Sequence, residues 1–249
     1  MPDKRKHRGR HPADERLFSA DNVPTLRRAV SDYAWLLSRM YAQASALKLV
    51  GDRYNLAARQ RLAVLRCTCS EQSLKTRTAR IRTLRECRDA SVAIDGYNVL
   101  ITVEAALSGG PILVGLDSCC RDLASVHGTY RKVEETIPAL TLIMDHLDSC
   151  GVKHVDWYLD SPVSNSGRLK TLIAELVEAR TSREAPAAEW NIEIVRSPDA
   201  MLSACVGPVA TSDSAVLDRC GVWVNLAGEV IRARTSRPWI VNLSEAAGE

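Results

Sequence analysis

Three aspartates stand where short apolar runs give way to turns. Asp95 follows Ser91-Val92-Ala93-Ile94, Asp160 follows His154-Val155-Asp156-Trp157-Tyr158-Leu159, and Asp213 follows Pro208-Val209-Ala210 by way of Thr211-Ser212. Such runs read as buried strands, each carrying an acid at its C-terminal end. In an open α/β sheet that end is where ligands bind, beside the switch in strand order. If the three strands are neighbours, the carboxylates converge. Clustered carboxylates repel one another and are costly to bury unpaired. A divalent cation resolves the conflict, and Mg²⁺ or Mn²⁺ prefers oxygen ligands of this kind. There it would generate hydroxide and stabilise the charge of a phosphodiester transition state. Asp also caps turns and helices, and Asp213 before Ser214-Ala215-Val216 and Asp160 before Ser161-Pro162 suit that plainer use.

Two other groups of residues suit phosphate. The segment Ser161 to Gly167 holds Ser161, Ser164 and Ser166 at a helix start, with Arg168 and Lys170 just beyond. Backbone N–H groups and the helix dipole make such a place a phosphate cradle, or an ordinary capped link. Asn98 stands ready to bond an acid or a phosphate, or to fix the turn after Asp95. Upstream, Lys75, Arg77, Arg80, Arg82, Arg85 and Arg88 recur with few acids between them. Pairing at i,i+4 cannot neutralise them, so a phosphate-binding face is expected there beside the alternative of a solvated one.

The elements that must hold these groups fall into two parts. Helices are expected from Asp21 to about Val50, from about Tyr54 to Cys67, and from about Glu71 to Cys87. From Ala90 the pattern alternates: strands at Ser91–Ile94, Pro111–Leu116, His154–Leu159, Trp190–Val195, Pro208–Ala210 and Val222–Leu226. Helices are expected at Val99–Leu107, about Tyr130 to Cys150, about Arg168 to Arg180, and Asp199–Cys205. The fold class expected is therefore α/β, a mainly parallel sheet sandwiched by helices, preceded by a small all-α basic domain. The boundaries expected are a disordered basic arm over 1–20, a basic helical domain over 21–89, and the α/β domain over 90–249.

The totals support that division. The 249 residues carry a formal charge of +3, but residues 1–90 hold 20 Lys+Arg against 9 Asp+Glu and the remainder 13 against 21. A basic first half points to a polyanion partner. No run of about 18 apolar residues exists, and the basic N-terminus lacks the apolar core of a signal peptide, so a cytoplasmic protein with no membrane partner is expected. The 8 Cys include Cys67-x-Cys69 and the adjacent Cys119-Cys120, with no CxxC pair, and are read as buried thiols. His127, His146 and His154 show no metal spacing and are read as structural.

Ile94-Asp95-Gly96-Tyr97-Asn98-Val99-Leu100 resembles the first-strand motif of the NYN branch of the PIN-like nucleases. Thr211-Ser212-Asp213-Ser214-Ala215-Val216-Leu217-Asp218 resembles their later strand, where a T-S-D sequence presents another metal-binding acid. The resemblance covers roughly 90–230. The first module, with Gly51-Asp52-Arg53-Tyr54 and Gln60-Arg61, is similar to the uncharacterised prokaryotic family called domain of unknown function 434, which is coupled to such a C-terminal domain. The resemblance implies a PIN-like fold and a carboxylate cluster that binds Mg²⁺ or Mn²⁺ and cuts RNA. Asp95 and Asp213 carry over directly, and Asp160 fits the middle acid by strand position. Asp218 and Asp199 are the candidates for a fourth acid, ahead of Glu104 and Asp117. The middle region lacks a plain counterpart of the acid most PIN nucleases carry on a helix.

Three readings follow. The first is a metal-dependent endoribonuclease acting on structured RNA, such as tRNA, gripped by the basic helices. The second is a non-catalytic RNA-binding protein on the same fold. The third is an enzyme of nucleotides or small phosphoesters using the Ser161–Gly167 segment. Aromatic residues make up 5%, which favours recognition of RNA shape and phosphates over base stacking. A second copy of the chain is kept among the expected partners.

Overall fold

The computed structural model describes residues 6–124, 128–181 and 188–244. The described residues open with four helices besides one short turn: α1 (Asp14–Leu17), α2 (Val23–Ser38), α3 (Gln43–Arg53), α4 (Ala58–Cys67) and α5 (Glu71–Arg80). Strand β1 (Ile81–Arg82) and a 3-10 turn at Leu84–Cys87 lead to β2 (Ser91–Asp95) and α6 (Gly96–Leu107). Then come β3 (Ile112–Val114), β4 (Cys120–Arg121), α7 (Thr136–Cys150), β5 (His154–Asp160), α8 (Ser166–Thr181) and β6 (Glu189–Val195). The described residues end with α9 (Pro198–Ala204), β7 (Pro208–Ala210), α10 (Ser214–Leu217), β8 (Val222–Val224), α11 (Leu226–Arg234) and β9 (Ile240–Asn242).

Six strands form one sheet in the order β1-β8-β7-β2-β5-β6, every neighbouring pair parallel. From β2 the chain moves outward through β5 and β6, then crosses back to β7 and β8 on the other side. Between β2 and β7 the order reverses, so all C-terminal ends share one edge and a crevice opens there. Central strand β2 is buried along Val92–Asp95, as a strand covered on both faces should be. Helices α6, α7 and α8 pack with Val92, Ile94, Trp157, Leu140 and Ile173 in the main core.

Several elements differ from the sequence expectation. The first helix breaks after Ser38, with Met40 at φ 63°, because Ala46 and Val50 of α3 must fold back onto Leu26, Val30 and Tyr33 of α2. The third helix ends at Arg80: without an apolar stripe to bury, its continuation yields to edge pairing of Ile81–Arg82 with Trp223–Val224. A Thr83/Glu86 box then caps the 3-10 turn. The strand at β3 does not join the main sheet. It lies in a three-stranded sheet, β4-β3-β9, whose Leu113 and Val241 enter the core of the N-terminal helices. The two parts therefore share packing across residue 90.

Residues 6–20, expected within a disordered arm, are packed on the rest. Arg8 pairs with the fully buried carboxylate of Glu104 at 2.7 Å and lies 5.2 Å from the Tyr130 ring centre. Asp14 is buried against Arg59, and Phe18 sits in the helical core. These apolar and charged anchors outweigh the basic composition that suggested disorder. Among the described residues no helix is long and apolar enough to cross a membrane.

Candidate functional site

The site begins with β2. Its last residue, Asp95, is 5% exposed and caps α6, accepting from the Asn98 backbone N–H at 3.3 Å. Gly96 permits the tight strand-to-helix turn, since a Cβ there would meet Trp157 Nε1 at 2.2 Å and Tyr158 O at 2.7 Å. The Asn98 side-chain amide donates to Asp95 Oδ2, and Thr211 Oγ1 donates to the same oxygen at 2.8 Å. Ser212 Oγ donates to Asn98 Oδ1 at 3.1 Å. The Asp-Gly-Tyr-Asn and Thr-Ser-Asp segments are thus bonded to each other, residue to residue, because β2 and β7 are neighbours.

A cleft of about 390 Å³ lies beside them at the switch in strand order, lined among others by Asp95, Asn98, Asp122, Asp160, Asp199 and Arg66. Burial pushes the Asp95 carboxyl up to about 6, against its hydrogen bonds, with repulsion from Asp199 in the same direction. Burial also raises Asp160. Asp199 is raised by burial and then by the charges of Asp213 and Asp160, while Arg219 opposes. Asp199, just beyond β6, therefore stands within charge range of acids at the ends of or just beyond β2, β5 and β7. Asp213 stands at the margin: its Oδ1 caps α10 through Ala215 N and Val216 N at 2.8 and 3.0 Å, so the capping use expected for it is present too. Among the described residues the aspartates do not form a group whose oxygens all lie within 4.8 Å. They surround a space instead of meeting at one point.

The other expected site residues fall elsewhere. Asp218 is outside the cleft, paired with Arg77 at 2.8 Å, whereas Asp199 lines it. Asp117 is held by Arg121 and Arg77, each at 2.7 Å; burial alone would raise it, but those guanidiniums lower it to about 2. Arg77 is 2% exposed and structural, not a phosphate contact. Lys75, Arg82 and Arg85 are exposed and Arg80 half-buried, donating to Cys220 O at 3.0 Å; none lines the cleft. Glu104 is buried under Arg8, Tyr130 and Thr136.

The Ser161–Gly167 segment touches the cleft only through Val163. Ser166 is buried, its hydroxyl shared with Tyr97 OH at 2.7 Å and the carbonyls of Asp160 and Val163. Ser164 pairs its backbone with Gly128 and Tyr130, Ser161 its N–H with Val195 O, and Arg168 lines a different hollow with Arg131 and Lys132. His154 makes an exposed pair with Glu189, and His127 lies outside the described residues. All eight Cys are free thiols, seven of them buried and Cys205 half-buried.

Two lining residues carry no periodic signal in the sequence. Asp122 accepts from Thr102 Oγ1 at 2.8 Å and from Ala124 N at 2.6 Å, and follows a strand of two residues. Arg66 reaches from α4 of the N-terminal part, donating to Asp122 O at 2.7 Å. Next to the cleft, and sharing Ala124 with it, a second hollow of about 490 Å³ is lined by Lys6, His7, Arg8, Arg10, His11 and Arg59.

Fold and cleft together define an α/β protein with a carboxylate-lined crevice at the switch of a parallel sheet, joined to a helical N-terminal module. The chain belongs to the family described as Domain of unknown function (DUF5616), matched over residues 84–229, and residues 25–80 match the family described as Protein of unknown function (DUF434). It is 32% identical over 193 residues to an uncharacterized protein of Methanocaldococcus jannaschii, spanning 78% of this chain and 89% of that one. No solved structure matches.

Proposed function

We propose that the chain is a metal-dependent endoribonuclease of PIN-like kind, hydrolysing phosphodiester bonds in structured RNA at the Asp95 cleft. One observation carries this reading: the aspartates Asp95, Asp122, Asp160 and Asp199 line a single crevice at the sheet's switch point, with Asp213 at its margin and Asp199 under the charges of Asp213 and Asp160. The donor set is all oxygen, which fits Mg²⁺ or Mn²⁺, and its open spacing suits ions that keep several waters. When bound, such an ion supplies an activated water and neutralises phosphate charge.

The chain's own residues position and tune the site. Asn98 and Thr211 hold the Asp95 carboxylate in one orientation, and Ser212 in turn holds Asn98. Burial raises Asp95, Asp160 and Asp199, and repulsion adds to it at Asp95 and Asp199, so a bound cation would relieve the cost of their ionised forms. Arg66 lies at the cleft, where it can meet a phosphate beside the scissile bond. The hollow lined by Lys6, His7 and Arg10 adjoins it and offers the RNA backbone a path, in place of the Lys75–Arg85 run, while Arg8 and Arg59 on its wall are committed to Glu104 and Asp14.

The test is incubation of the full chain with total tRNA and short RNAs in Mn²⁺, Mg²⁺ or chelator. Discrete products that vanish with chelator support the reading. Salt-sensitive binding without products in any metal would replace it with a binding protein that uses the same cleft as a docking site.

A further inference from the structure

His146 and Cys150 stand four residues apart on α7 and face Glu229 in the first turn of α11. Among the described residues this is the one set of three or more such side chains whose ligand atoms all lie within 4.8 Å of one another. His146 Nε2 is 3.2 Å from Glu229 Oε2 and 3.9 Å from Cys150 Sγ. A tetrahedral ion with the usual Zn–N, Zn–O and Zn–S lengths keeps its nitrogen and oxygen ligands ~3.3 Å apart and its nitrogen and sulfur ligands ~3.6 Å apart. The observed 3.2 and 3.9 Å lie near those values and the third pair lies within 4.8 Å, so an ion fits between the three atoms once the side chains draw in.

The surroundings are those of a built site. Glu229 Oε1 accepts from the Leu84 backbone N–H at 3.0 Å, which fixes the carboxylate and leaves Oε2 toward His146. His146 and Cys150 are buried and Glu229 is partly exposed. All three line an open hollow of about 600 Å³ with Thr83, Ser118 and Asn225, and with Arg85 and Arg232 also on its wall. A thiolate, an imidazole and a carboxylate form a mixed nitrogen, sulfur and oxygen set that selects zinc-like ions and does not suit Mg²⁺ or Mn²⁺.

We infer that His146, Cys150 and Glu229 bind a zinc-class divalent cation, with a fourth position open to the hollow for water or an anion. This site is separate from the Asp95 cleft and does not depend on the nuclease reading. An i,i+4 His–Cys pair on one helix supplies two ligands from one face, and the third ties α11 to α7.

The experiment is titration of the chelator-treated full chain with Co²⁺, read as a sulfur-to-cobalt charge-transfer band. One equivalent of Co²⁺ should develop the band, and Zn²⁺ should abolish it by displacement. Cys150→Ser should remove the band. Glu229→Gln keeps an acceptor for Leu84 N and should weaken Co²⁺ binding about tenfold or more. Asp95→Asn should leave band and affinity unchanged. Circular dichroism establishes that each variant is folded, and if Cys150→Ser is not, the Glu229→Gln affinity decides. A folded wild type that develops no band, a Cys150→Ser band equal to wild type, or unchanged affinity in Glu229→Gln overturns the assignment.

Discussion

Replacing Asp95 with Asn is expected to raise the stability of the cation-free protein at pH 7. Burial pushes this carboxyl from 3.8 to about 6, and repulsion from Asp199 acts the same way. In the unfolded chain the group titrates near its ordinary value. Between about pH 4 and pH 6 the folded protein therefore binds more protons than the unfolded one, and stability falls as pH rises through that window. Above it the whole penalty is present, ~3 kcal/mol at ~1.4 kcal/mol per pH unit. Asn removes the charge and caps α6 as well as Asp does. Its one carbonyl oxygen cannot accept from both the Asn98 backbone and the pair formed by Asn98 Nδ2 and Thr211, so about 1–2 kcal/mol is given back. A net gain of about 1–2 kcal/mol remains. Urea unfolding in chelator should show this gain at pH 7 and lose it by about pH 4. Mg²⁺ or Mn²⁺ should stabilise wild type by mass action and the variant much less. A variant less stable than wild type at pH 7 in chelator, or equally stabilised by the cation, refutes the reasoning.

Asp117→Asn should destabilise the fold by about 3–5 kcal/mol in a denaturant melt, because it leaves the buried guanidiniums of Arg77 and Arg121 poorly compensated. Arg8→Ala strips the partner from fully buried Glu104 and should lower the melting temperature and expose the segment before α1 to protease. Asp199→Asn should reduce RNA cleavage at least tenfold with an unchanged circular dichroism spectrum, whereas Asp218→Asn should mainly lower stability through Arg77. Lys6→Ala should reduce the slope of log binding constant against log salt by about one, measured by fluorescence anisotropy with labelled RNA.

The sequence disclosed most where the chain is buried. Apolar runs before Asp95, Asp160 and Thr211 must be strands, and parallel neighbours put their ends together whatever the loops do. The placing of Asp95 and Asp160 at one edge of the sheet was legible for that reason. Asp122 and Arg66 were not, because they reach the cleft through a two-residue strand and through docking of α4, neither of which leaves a periodic signal. In the basic run a count of charges does not show which are consumed internally. Arg77, central in that run, is a buried cross-link between Asp117 and Asp218. The joining of the two parts was equally silent, since β9 pairs with β3 across more than a hundred residues of sequence. His146 shows no metal spacing in the sequence, and its partner Glu229 is brought to it by the packing of α7 on α11.

The most direct test of the central claim compares wild type with Asp95→Asn on one structured RNA at fixed Mn²⁺, with RNA binding measured on the same samples. The expected result is discrete cleavage by wild type and none by a variant that binds the RNA equally well. Equal cleavage by the two would contradict the assignment of the Asp95 cleft as the catalytic centre.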